Sequence, residues 1–384
     1  SPVGAFKAFG KKAGWLSFGG WINAIIPVLI VPYYSVIGGW VIKYLIEYVK
    51  GNGTKLAADG YFSEFISNGA STEICFVIFC LFTLSIIYAG VRNGIERVSK
   101  FMMPILVVLS VIIAIYSVTR PGAIEGVKYF LVPNLKNFSW MTVVAAMGQM
   151  FYSLSIAMGI LITFGSYMKK DSSIEDSTRN VEVFDTAIAI MAGLMIIPAV
   201  FAFSGGNPDT LQAGPALMFI TIPKVFENMG LGTAIGILFF LLVLFAALTS
   251  SIALTESAVS TFEDEIGWSR KKSTVLVGVI MIVLGSLSSL GYGPLAFVKI
   301  IGMQFLDFFD FLTNSVMMPI AALMTSLLVA RVVGVKKIEE EIIHGENAFR
   351  RKKIFAVMIK YLCPIFVLII LISSVANAFG WISM

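Results

Sequence analysis

The stretch GQMFYSLSIAMG, Gly148–Gly159, decides how this chain is to be read. It places Gln149, Ser153 and Ser155 between two glycines, inside an apolar run of membrane-crossing length over 142–166. In a hydrocarbon core backbone N–H and C=O groups must be satisfied within the protein, and polar side chains there are costly. Two arrangements meet that demand. In one, the helix is continuous, its hydroxyls bond back to carbonyls a turn earlier, and its small residues pack against a neighbour. In the other, the glycines let the helix break, and the freed carbonyls and hydroxyls bind an ion or a substrate near the midplane. Spacing alone leaves both open.

Around that stretch the composition is that of a membrane protein. Of 384 residues, 58% are hydrophobic and 13% charged, with a mean hydropathy of +0.89. Soluble domains carry about 25% charged residues, so an ordinary soluble enzyme is excluded. Apolar runs near the ~20 residues that cross a bilayer recur at 21–49, 72–91, 99–119, 142–166, 184–204, 231–262, 273–291, 304–330 and 355–380. The pattern predicts an all-α polytopic membrane protein of nine spans. The connection 206–229 is too interrupted by Gly and Pro to cross, and is expected as a surface lid or hairpin.

Loop bases orient the chain. Lys7, Lys11 and Lys12, then Arg92, Arg97 and Lys100, then Lys169, Lys170 and Arg179, then Arg270, Lys271 and Lys272, and the run from Arg331 to Lys353 all fall on one side. That side is expected to be cytoplasmic, with the N-terminal end inside and the C-terminus outside, in the plasma (inner) membrane. No segment concentrates Lys and Arg with interleaved aromatics, so nucleic acid is not an expected partner. Cys75, Cys80 and Cys363 lie in apolar runs and read as small buried residues. The single histidine, His344, stands in a charged loop, which leaves no His-based triad or metal site. There is no G-x-S-x-G, H-E-x-x-H or Walker sequence, and no organic cofactor is expected.

Other polar groups in apolar runs invite a similar pair of readings. The sixth run carries LTSSIALTESAVSTFEDE, in which Thr249, Glu256 and Ser260 share a face, with Ser250 and Ser251 alongside. A hard cation such as sodium takes several oxygen ligands. Thr and Ser hydroxyls with the Ala246 carbonyl one turn earlier can supply them, and hydroxyl back-bonding explains the spacing equally well. Asp185, Asp307 and Asp310 are carboxylates inside or at the ends of apolar runs, either wet interfacial residues or parts of a site.

These residues together match a known pattern. PYYSVIGGW (32–40), GVRNGIERVSKFMMP (90–104), GQMFYSLSIAMGILITFGSY (148–167), LFAALTSSIAL (244–254) and FEDE (262–265) resemble the neurotransmitter:sodium symporter family, particularly its bacterial amino-acid transporters, over nearly the whole chain. The resemblance implies the inverted-repeat sodium symporter fold of the leucine-transporter type, with nine spans present of an expected eleven and the first two absent. It implies one transmembrane domain over 1–384, with a partial first repeat at 1–119, a second repeat at 142–330 and an extra span at 355–380.

Carried over position by position, it implies sodium ligands at Ser153 and Asp185, and a second set at Ala246, Thr249 and Ser250. Tyr34 and Tyr152 match an aromatic pair that closes over substrate from outside, and Ile30, Ser155, Met158, Ser250 and Leu254 match the side-chain pocket. Asp310 matches an outer-gate acid, and Tyr167 and Asp264 an inner gate. Ala157 stands where many members have Gly. Asp185 stands where chloride-dependent members have Asn, and Ala189 where they have Ser, so a fixed carboxylate replaces chloride and chloride is not expected to be required. The implied function is sodium-coupled symport of a neutral, hydrophobic amino acid by alternating access; the alternative is a membrane amino-acid sensor or scaffold that keeps the fold without transport. No nucleophile–base constellation supports an enzyme. The expected partners are the amino acid and the lipid bilayer.

Overall fold

One helix organises the rest. In the computed structural model, which describes residues 1–10, 14–136, 138–212, 214–344 and 348–382, α1 (Gly14–Val49) runs through the middle of the molecule. Of its most apolar stretch 72% is buried, against 11% for the last span. It is apolar all round, the pattern of a helix with no solvent face. Pro27 and Pro32 sit inside it without ending it, as neighbouring helices permit within a membrane protein. Lys11 and Lys12, assigned above to the inner side, lie outside the described residues.

The other elements are α2 (Gly69–Tyr88), α3 (Val91–Val118), α4 (Trp140–Ser153), α5 (Ile160–Ser166), α6 (Ile174–Ser204), α7 (Gly232–Ile266), α8 (Arg270–Leu290), α9 (Phe305–Val333) and α10 (Lys352–Ala378). Among the described residues the only β pairing is an isolated bridge between Ile300 and Met303. Boundaries follow local chemistry. Asn68 caps α2 by accepting from the Ser71 amide at 3.1 Å, a capping box of Ser139 and Thr142 opens α4, and Ser173 caps α6. Gly205 and Gly267, at φ +65° and +71°, end α6 and α7 in the left-handed conformation that suits glycine.

Among the described residues, eight helices are long and apolar enough to cross a membrane. The run at 142–166 is not a ninth continuous helix; it is divided into α4 and α5. The run at 184–204 belongs to a longer helix that begins at Ile174, because Ser173 caps it and Glu175 and Asp176 stand in its first turn, where the helix dipole favours acids.

The α1–α2 crossing is close because α1 presents Gly38 and Gly39. A Cβ at Gly39 would fall 2.6 Å from the Phe76 amide nitrogen, and one at Gly38 would fall 2.4 Å from the Phe79 ring. Small residues of this kind let membrane helices pack backbone to side chain. Cys75 and Cys80 are buried and unbridged.

The connection at 206–229 does form a lid. Its helical turns Leu217–Thr221 and Ile222–Glu227 bury Phe219, Ile222, Val225 and Phe226, each worth about 1.5–3 kcal/mol when removed from water. Phe219 stacks on Phe62 at 5.3 Å and meets Trp40 of α1 edge-on at 5.7 Å, and the Tyr44 hydroxyl donates to the Phe219 carbonyl at 2.8 Å. The exposed Lys224–Asp59 ion pair adds little beside that burial.

Candidate substrate and ion site

The functional centre is built on the break between α4 and α5. The Ser155 amide still donates to the Tyr152 carbonyl at 3.0 Å and the Ile156 amide to the Phe151 carbonyl at 3.1 Å, but regular helix resumes only at Ile160. Ser155, Ala157 and Gly159 have φ of +54°, +62° and +71°. Three left-handed residues in six positions cannot be helical, so the continuous-helix reading of this stretch is overturned. Gly159 is fixed there by closeness as well as by dihedral angle: a Cβ would sit 2.8 Å from both the Asn23 carbonyl and the Ser257 hydroxyl.

At the end of α4 the Ser153 hydroxyl donates to Asp185 of α6 at 2.6 Å. Asp185 is half-buried, and no cationic side chain lies within 4.0 Å of it among the described residues. The two residues matched to one ion site are therefore in direct contact. On α7 the Thr249 hydroxyl is 3.0 Å from the carbonyls of both Phe245 and Ala246, so the second predicted pair, Ala246 and Thr249, also converges; in this state the contact is back-bonding along the helix. Ser250 is exposed beside them. Ser251 points away and bonds Thr83 at 3.0 Å.

Ile30, Met158 and Leu254 are buried in one apolar cluster, and Tyr34 and Tyr152 pack against it. Asp310 is held by neighbours that sequence reading did not single out. Tyr33 donates to it at 3.2 Å and Asn314 at 2.5 Å, and Tyr33 also shares a 3.2 Å bond with Thr313. Phe311–Met317 is a wide π-type stretch of α9, which aims both Thr313 and Asn314 at Tyr33. Asp307 accepts from Tyr292 at 2.9 Å.

The structure does not join Tyr167 to Asp264. Tyr167 donates to Glu256 at 2.6 Å, and Asp264 stands near the C-terminal end of α7. Glu256 is fully buried and takes a two-pronged contact from Arg270, one arm at 3.1 Å. Arg270 also donates to the Ile87 carbonyl at 2.9 Å and lies 3.6 Å from Glu263. Glu256 is thus the acid of an ion pair here, while Ser260 bonds the Ser257 carbonyl at 3.0 Å. One signal for Arg270 was present in the sequence: a carboxylate deep in an apolar helix demands a cation.

The profile of the sodium:neurotransmitter symporter family matches residues 61–380. The chain belongs to this family. It is 32% identical over 381 residues to the uncharacterized sodium-dependent transporter YhdH of Bacillus subtilis, covering 98% of this chain and 83% of that one. It is also 32% identical over 354 residues to a sodium-dependent transporter of Haemophilus influenzae, covering 90% of this chain and 76% of the other. Its fold is similar to that of MhsT, solved in complex with L-phenylalanine, at a TM-score of 0.84 and 34% identity over 97% of this chain and 84% of MhsT. This symporter family is one of transporters, not enzymes, and its members are integral membrane proteins.

Proposed function

We propose that the chain imports a neutral, hydrophobic amino acid together with sodium by alternating access. The observation that carries this reading is the break at 154–159, with the Ser153–Asp185 contact at its edge and Met158 within it, buried in the same apolar cluster as Ile30 and Leu254. Unwound backbone offers carbonyls to an ammonium group, and an apolar wall favours an aliphatic or aromatic side chain over a charged one. That MhsT holds L-phenylalanine supports the same substrate class.

In this reading Ser153 and Asp185 bind one sodium. Its arrival turns the Ser153 proton aside and leaves two oxygens facing the ion. Ala246, Thr249 and Ser250 bind a second: the Thr249 hydroxyl gives up its bond to the Ala246 carbonyl, and both oxygens turn to the cation. Tyr34 and Tyr152 close over the substrate, with Asp310 above them. Tyr167, Glu256 and Arg270 hold the inner route shut until release, and Asp264 belongs to the same inner end. Asp185 supplies a permanent negative charge beside sodium, so chloride is not needed. The orientation is N-terminal end inside, with the inner bases on the cytoplasmic face of the plasma membrane.

The test is uptake of labelled phenylalanine, leucine and lysine into proteoliposomes. Uptake of the first two driven by sodium and unchanged when gluconate replaces chloride is expected; equal uptake in sodium and potassium would refute it. Sodium-dependent binding without flux would favour the sensor alternative.

A further inference from the structure

A groove of about 630 Å³ lies between α2 and α8. Leu81, Leu84 and Tyr88 form one wall, and Val275, Val279 and Val283 the other. Gly278 keeps it open, since a Cβ there would come 3.0 Å from Leu84. Toward the inner end the lining includes Thr274, which is 3% exposed and whose hydroxyl has no partner.

That end is also where α8 begins. Ser269 makes no side-chain cap, and the first turn holds no acid. Arg270, Lys271 and Lys272 follow in succession. Of the three, Arg270 is committed to Glu256 and Glu263. The Lys271 ammonium stands over the Tyr88 ring at 5.6 Å, and neither it nor Lys272 has a carboxylate within 4.0 Å among the described residues.

We propose that this groove binds one anionic phospholipid, with an acyl chain between α2 and α8 and the phosphate at Lys271, Lys272 and the first-turn amides of α8. An apolar slot along a span suits a hydrocarbon chain. A helix N-terminus with unpaired bases suits a phosphate, and bases near an anionic leaflet are drawn to it. The Thr274 hydroxyl donates to an oxygen of the headgroup or its ester. A second copy of the chain fits less well, because a twofold contact here would bring the same bases face to face.

The test uses the full chain in mild detergent. Dioleoyl phosphatidylglycerol, the phosphatidylcholine of the same chains, and inorganic phosphate are added in turn, and retained molecules are read by native mass spectrometry. One retained phosphatidylglycerol, held in preference to phosphatidylcholine and not displaced by phosphate, is expected. Lys271→Gln with Lys272→Gln removes the preference by roughly thirtyfold, the factor for two bases leaving an anionic lipid, and leaves phosphatidylcholine retention unchanged. Val279→Trp, at a 55% exposed position, fills the slot and lowers retention of both lipids. Equal retention of the two lipids, an unaltered preference in the double variant, or displacement by phosphate would each overturn the proposal. So would a dimer that Val279→Trp converts to monomer, since a second copy would then be the occupant.

Discussion

Ser153 and Asp185 are 32 residues apart in sequence and 2.6 Å apart in space, and the contact joins the broken helix to α6. A hydrogen bond to a charged group is worth about 1.5–3 kcal/mol. That bond must open before an ion can sit between the two oxygens, so it is not the source of affinity. In the proposed site Ser153→Ala removes one ligand oxygen and is expected to raise the sodium concentration needed for half-maximal amino-acid binding, and Asp185→Ala to abolish sodium-stimulated binding. A sodium titration of amino-acid binding reads both; two unshifted curves would remove this pair from the ion site.

Glu256 and Arg270 make a different case. Removing one partner of a buried pair leaves an uncompensated charge, at a cost of about 3–5 kcal/mol. Arg270→Met should lower the thermal midpoint in detergent sharply, and Glu256→Leu with Arg270→Met should recover most of it. A double variant no more stable than the single one would contradict this. The sequence showed Ser153 and Asp185 because each is polar where lipid-facing residues are not, whereas Tyr34 came through the resemblance alone. It hid Arg270 inside an ordinary run of loop bases, and it hid Tyr33 because two adjacent tyrosines in an apolar run look alike. Which of two adjacent tyrosines faces Asp310 depends on the rotation of α1, and that is set by packing at Gly38 and Gly39.

At the scale of elements, the break between α4 and α5 holds Ala157 at φ +62°. A non-glycine residue there costs about 1–3 kcal/mol. Ala157→Gly is expected to relieve that cost, offset in part by a more flexible unfolded chain, for a net gain of about 1 kcal/mol. Gly159→Ala should do the reverse, because it adds a Cβ 2.8 Å from the Asn23 carbonyl. Thermal midpoints of the two variants must move in opposite directions; movement together would mean the break is set by something other than its dihedral angles. Hydropathy located eight continuous spans, since each is a long apolar run with few charges. It could not decide the ninth, because hydroxyls at that spacing serve a straight helix as well as a broken one. The N-terminal extension of α6 was masked by its own charges, which read as loop until Ser173 and the acids of the first turn are taken as a cap.

For the whole molecule, coupling to sodium makes transport responsive to voltage. Each net charge moved across 100 mV contributes about 2.3 kcal/mol, about fiftyfold accumulation per charge. Imposing an inside-negative potassium diffusion potential on proteoliposomes should raise sodium-driven uptake, and indifference to that potential would mean that no net charge moves. The uneven enclosure of the helices has a further consequence. α1 is covered along most of its length, while α10 has neighbours on one side only. Local opening requires little cooperation at the periphery and near-global disruption at the centre. In deuterated buffer the amides of α10 should therefore exchange well before those of α1 around Gly38. The protein keeps its slowest clock in the helix around which the others are arranged.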